Sequence, residues 1–198
     1  MVYWICFFLA KIIDKIYFSC TFIGKENLPL KESYIIASNH LSNLDPFILG
    51  SNSYRRFSYL AKEELFKTKL SAWIYHQLGA IPIKRDAADF HAIRETVRRL
   101  KKGIPVIVFP EGTRGVGGRQ KKPQAGIALI AIKGKVPVVP AYIQGSDKAL
   151  PNGAKWFKRH HVQIVFGKPL RYTKEKPYEE ISSQILDEIY ALAPLKQA

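Results

Sequence analysis

The sequence predicts a single α/β domain, a largely parallel or mixed sheet flanked by helices, preceded by a helix that lies in a membrane interface. Three observations predict it. Short β-rich runs alternate along the chain with segments of helical periodicity, the pattern of an α/β layer. The length of 198 residues suffices for one ordinary domain and its core but is short for two. The strongest apolar stretch, residues 1–23, stands at the amino end and is interrupted by charges.

That stretch, MVYWICFFLAKIIDKIYFSCTFI, is long enough at helical rise to cross a bilayer. Lys11, Asp14 and Lys15 sit at its middle, however, and each charge at bilayer centre costs about 2.5–3.5 kcal/mol on insertion scales. On a helical wheel the three fall within one arc, expected to face water, and leave Trp4, Phe7, Phe8, Ile12, Ile16 and Phe18 over much of the remainder. The pattern predicts a helix lying flat on the membrane. The interrupting charges, and the lack of a small-x-small cleavage pattern after them, speak against a cleaved signal peptide. Residues 1–23 are therefore read as an anchoring segment and 24–198 as the domain that follows it.

After it, the predicted strands are Tyr34–Ala37, Phe57–Ala61, Ala80–Ile83, Ile104–Phe109, Val136–Tyr142 and Val162–Phe166. Predicted helices cover 46–52, 69–78, 87–102, 124–133 and 177–192, the third with an apolar stripe of Phe90, Ile93, Val97 and Leu100. In sheets of this kind chemistry gathers in the loops at the carboxyl ends of the strands.

The formal charge of +15 requires a negative partner: nucleic acid, anionic lipid head groups or a phosphorylated substrate. RNP-type aromatic motifs and zinc-finger spacings are absent, so no nucleic-acid partner is expected. Cys6 and Cys20, on one helix, would stand about 21 Å apart, beyond disulfide reach, which fits a reducing compartment. Neither has a local base to make it a nucleophile.

Two constellations carry chemistry. The first strand runs into Ser38-Asn39-His40-Leu41-Ser42-Asn43-Leu44-Asp45-Pro46, so His40 and Asp45 fall at a strand's carboxyl end. A histidine beside a carboxylate is suited to taking a proton from an alcohol, because the carboxylate fixes the tautomer and stabilises the imidazolium. Asp45 before Pro46 also reads as a helix cap, and the two roles are compatible. The second is Phe109-Pro110-Glu111-Gly112-Thr113-Arg114 after the strand Ile104–Phe109, where Arg114 offers a planar fork to a phosphate. The glycines that follow complete neither a P-loop nor a dinucleotide fingerprint, which disfavours ATP-dependent chemistry. Two further elements are Gly79–Arg85, with Lys84 and Arg85 just past a strand, and the β-branched run Val136–Ala141, whose prolines suit the wall of a groove. His160 and His161 would point to opposite faces, a poor metal pair, and no metal site is expected.

In this order the four elements resemble the glycerolipid acyltransferase family, over roughly residues 24–170, and most closely its bacterial 1-acyl-glycerol-3-phosphate branch. The resemblance implies His40 as general base with Asp45 as its partner. It places Lys84 and Arg85 near the substrate phosphate, Glu111, Gly112, Thr113 and Arg114 on the glycerol phosphate, and Val136, Pro137, Val138, Val139 and Pro140 along the acyl-donor groove. It further implies acyl-CoA or an acyl carrier protein thioester as co-substrate with no other cofactor, and lysophosphatidic acid and membrane lipids as partners. The expected location is the cytoplasmic face of the cell membrane, peripheral or monotopic. Glycerol 3-phosphate or another lysophospholipid remains open as acceptor, as does a non-catalytic basic module binding membrane or nucleic acid. Gly115 stands where the family often has a serine.

Overall fold

A computed structural model describes residues 2–51, 55–84, 89–115 and 123–194. The elements are α1 (Val2–Ile13), β1 (Thr21–Ile23), β2 (Ile35–Ser38), α2 (Asp45–Ser51), β3 (Ser58–Lys62), α3 (Lys69–Gln77), β4 (Ala80–Ile83), α4 (Phe90–Lys101), β5 (Val106–Val108), α5 (Gly126–Gly134), β6 (Val138–Gln144), α6 (Ser146–Ala149), β7 (Gln163–Phe166) and α7 (Tyr178–Ala191).

One seven-stranded sheet runs in the order β1-β7-β6-β2-β5-β3-β4, and only the β6–β7 pair is antiparallel. Both faces of the sheet are covered, so its strands read as continuous apolar runs. The period of two divides the core: on β2, Ile35 and Ala37 join Val106, Val108 and Val138 beneath α4, α5 and α7, whereas Ile36 joins Ile107, Val139 and Ala141 with α2 beyond.

All six predicted strands form, with ends displaced by up to two residues. A seventh, β1, lies where the anchoring helix was expected to continue. Thr21–Ile23 pairs with Gln163–Val165, because the helix ends earlier: α1 passes into a π-helical turn, Asp14–Phe18, closed by Ser19 at φ 43°. The Asp14 side chain accepts the Cys20 N–H at 3.0 Å.

The structure refines the reading of the amino-terminal segment at two apolar and two charged positions. Phe7 is buried against the body, and Lys11 reaches over its ring at 5.0 Å, on the side from which Asp14 turns to Cys20. Trp4, Phe8, Ile12 and Ile16 are exposed as the wheel expects, with Ile5 and Leu9 beside them, and Lys15 is exposed as well, whereas Phe7 and Phe18 are buried. No described helix is long and apolar enough to cross a membrane.

Candidate active site

β2 and β5 are parallel neighbours in register Ile35↔Val106 to Ala37↔Val108, so the loops that follow them leave the same edge of the sheet side by side. This is why two segments about seventy residues apart meet. The His40 ring stacks on the Phe109 ring, centroids 4.0 Å apart and planes at 18°, and the Gly115 N–H donates to the His40 carbonyl at 2.9 Å.

His40 Nδ1 lies 2.8 Å from Asp45 Oδ2. The same oxygen accepts the Leu41 and Ser42 N–H groups at 2.7 and 2.8 Å. The carboxylate thus folds back on the preceding loop. Asp45 is fully buried, and its Oδ1 has no hydrogen-bond partner among the described residues. A carboxylate only accepts, so Nδ1 carries the proton and Nε2 is left with its lone pair for an incoming hydroxyl. A buried negative charge held on one oxygen is further balanced when the imidazole becomes imidazolium.

Asn39 holds the histidine's position. Its side chain donates to the Ile143 carbonyl at 2.9 Å and accepts the Ile143 N–H at 2.8 Å, riveting the end of β2 to β6. Ser42 Oγ donates to the Leu150 carbonyl at 3.1 Å and fixes the far side of the loop.

His40 stands on the wall of a cavity of about 500 Å³. Its apolar lining includes Leu60, Ile83, Ile93, Val108, Ile127 and Ile130, and its charged lining is Lys62, Lys84 and Asp89. An acid–base pair, an apolar chamber and two lysines in one cleft are the parts needed to hold a fatty chain and a phosphate around a reacting hydroxyl.

With that geometry the comparisons agree. The profile of the family described as Acyltransferase matches residues 19–144, well over half of the chain. The chain belongs to the acyltransferase family. It is 31% identical over 170 residues to the 1-acyl-sn-glycerol-3-phosphate acyltransferase of Bacillus subtilis, covering 85% of this chain and 82% of that protein. It is 31% identical over 175 residues to a chloroplast enzyme of the same name from Arabidopsis thaliana, covering 84% of this chain. The chain spans 49% of that plant relative's length. The crystal structure of the 1-acyl-sn-glycerophosphate acyltransferase of Thermotoga maritima superposes with a TM-score of 0.74 at 26% identity, over 96% of this chain and 80% of that one.

This acyltransferase-family chain gathers some of the expected site residues and not others. His40, Lys84 and Gly112 line the cavity, and Arg85 lies outside the described residues. Gly112 has φ 66°, in the left-handed region that favours glycine, and a Cβ there would meet the Gln124 side-chain amide at 2.6 Å and displace it. Thr113 is half-buried and Arg114 exposed beside the Gly115–His40 hydrogen bond. Glu111 turns away: it is buried and accepts from the Tyr190 hydroxyl of α7 at 2.7 Å, so it fastens the loop and does not face the cavity.

The strand expected to line an acyl-donor groove does not line this cavity. Val136, Pro137, Val138, Val139 and Pro140 are buried, and none of them lines the cavity, because β6 sits inside the sheet between β2 and β7. Pro140 is tolerated there because β7 has already ended: its carbonyl takes the Gly167 N–H at 2.8 Å and no ladder donor is required of it. The walls of this cavity come from β3, β4, β5, α4 and α5.

The sequence reading missed Lys62 and Asp89 as cavity residues. Asp89 caps α4 by accepting the Ala92 N–H at 2.9 Å and also takes the Lys84 N–H at 2.9 Å. Burial works against its charged form, but these backbone donors outweigh it and hold its carboxyl below the usual range. A Lys at a predicted strand end and an Asp before a helical stripe were the available signals. The cysteines remain inert candidates: burial, then the Asp14 carboxylate, push the Cys20 thiol upward, away from thiolate.

Proposed function

We propose that the protein transfers a fatty-acyl group from acyl-CoA or an acyl carrier protein thioester to the sn-2 hydroxyl of 1-acyl-glycerol-3-phosphate, giving phosphatidic acid. One observation carries the reading: the His40–Asp45 pair, at 2.8 Å, opens onto a largely apolar cavity with Lys62 and Lys84 on its wall. Similarity to relatives named for this reaction supports it.

In this scheme His40 Nε2 takes the proton from the sn-2 hydroxyl as its oxygen attacks the thioester carbonyl. The C–S bond then breaks, and the departing thiolate receives the proton from the imidazolium. No acyl-enzyme forms, and the thioester is the only co-substrate. Asp45 holds the tautomer and stabilises the transient cation. Lys84 and Lys62 neutralise the acceptor phosphate, with Arg85 and Arg114 as further cations, while Gly112 lets the loop backbone approach closely. Backbone N–H groups at this edge of the sheet would stabilise the tetrahedral oxyanion. The outward apolar face of α1 would rest in the cytoplasmic leaflet, from which the acceptor enters.

Purified protein in detergent, given labelled acyl-CoA or acyl carrier protein and a panel of acceptors, tests the reading. Transfer to lysophosphatidate is expected. Preference for glycerol 3-phosphate would move the acceptor and keep the chemistry, whereas no transfer to any acceptor would leave a binding module.

A further inference from the structure

We infer that α3, with the turn before it, is a second lipid-docking surface that sets the mouth of the cavity against a bilayer containing anionic lipid. The inference rests on the acyl-transfer reading for the purpose of such contact, and on separate observations for its place. A helix that crosses between two parallel strands ordinarily packs one face on the sheet. α3 is the crossover from β3 to β4, yet none of its nine residues is buried. Its apolar side chains point outward: Leu70 is 67% and Trp73 53% exposed, with Ile74 on the same face and Leu65 exposed on the preceding turn. The inner side is held by the Phe66 ring against Tyr75 and His76, at 5.5 and 5.1 Å, and by a capping box between Thr68 and Ser71. So short a helix and its preceding turn, together offering water an aromatic and three aliphatic side chains, need a partner.

Charge and continuity identify that partner as a bilayer. Lys62, Lys67, Lys69 and Lys84 are exposed in and around the crossover against Glu63 and Glu64, within a chain of net charge +15. Lys62 and Lys84, at either end of the crossover, are also cavity residues. Arg56 bridges α3 to α1: it donates to the Gln77 carbonyl at 3.1 Å while its guanidinium lies 5.4 Å from the centre of the Tyr3 ring. Exposed Phe47, two residues after the catalytic carboxylate, adds a third apolar point on α2. An indole among aliphatics beside lysines suits the head-group boundary.

Flotation of the full chain with phosphatidylglycerol vesicles tests this, comparing wild type with L70S/W73S, both positions being exposed enough for the fold to survive. The bound fraction, and turnover of long-chain acceptor within the vesicles, should each fall at least about tenfold, with acylation of a short-chain soluble acceptor unchanged. In a W4F/W156F background, Trp73 emission should shift to the blue when vesicles are added. Unchanged flotation of L70S/W73S, or an unmoved Trp73 spectrum, overturns the inference. So does a wild-type dimer that the double substitution dissociates without loss of flotation, which would give the face to a second copy of the chain. If wild type acylates neither the vesicle-borne nor the soluble acceptor, the acyl-transfer reading falls, and flotation still decides the role of α3.

Discussion

Three donors converge on one oxygen of Asp45, and this convergence holds the His40 ring in a single orientation over Phe109. Removing the base should therefore be costly: His40→Ala is expected to lower kcat by about 10²–10⁴-fold with unchanged circular dichroism. Asp45→Asn should lower kcat by about 10²-fold or more with little change in KM, because the amide no longer enforces the Nδ1–H tautomer. Near-normal turnover by a folded His40→Ala protein would end the mechanism. Arg114→Lys keeps the charge and loses the fork, so KM for lysophosphatidate should rise about tenfold while KM for the acyl donor holds. An equal loss with a phosphate-free acceptor would show some other role. At this scale the motif residues were legible because type and spacing carry the chemistry. The direction in which Glu111 points was not, since it depends on a tyrosine nearly eighty residues away.

Among the elements, α7 reaches the site without contributing to its chemistry. The Tyr190 hydroxyl donates to Glu111, and its ring packs on Tyr142, so the helix latches the loop that follows β5. Tyr190→Phe leaves a buried carboxylate short of a donor, and urea unfolding should show a loss of about 1–3 kcal/mol. A variant as stable as wild type would mean that the latch is idle. On α4, Glu95 is bonded by Arg98 and Arg99, which hold its pKa at about 2 from an ordinary 4.5 despite partial burial. The folded value is the lower, so the pairing stabilises fully above pH 4.5 and is lost as pH falls toward 2. Glu95→Gln should flatten the acid limb of Tm against pH in that window and change little at pH 7 relative to pH 6. The anchoring element differed most from its sequence reading. Deleting residues 1–23 would remove β1 and the buried Phe18, so membrane attachment is better probed by polar substitutions at Phe8 and Ile12.

The charge of the whole molecule sets how it meets its partners. At +15, binding to vesicles of anionic lipid should weaken steeply as salt rises from about 0.05 to 0.5 M, where screening shortens to a few ångströms, while affinity for zwitterionic vesicles stays nearly flat. Salt-independent binding to anionic vesicles, measured by co-sedimentation, would show that apolar contact alone holds the protein. Sequence pattern by itself determined the α/β class, six of the seven strands, the principal helices, and the pairing of His40 and Asp45 with the loop ending in Arg114. Periodicity and caps act within a single element, and the two motifs are each short enough to be read locally and recognised together by their order. Tertiary structure alone decided the strand order and the three-residue β1, whose pairing partner lies far along the chain. It also decided that Val136–Pro140 is buried away from the cavity, and that Phe7 and Phe18 of the amino-terminal segment turn inward. Each of these depends on which surfaces remain after distant segments pack, and the burial of a strand on both sides leaves no mark in its own residues that separates it from a strand lining a cleft.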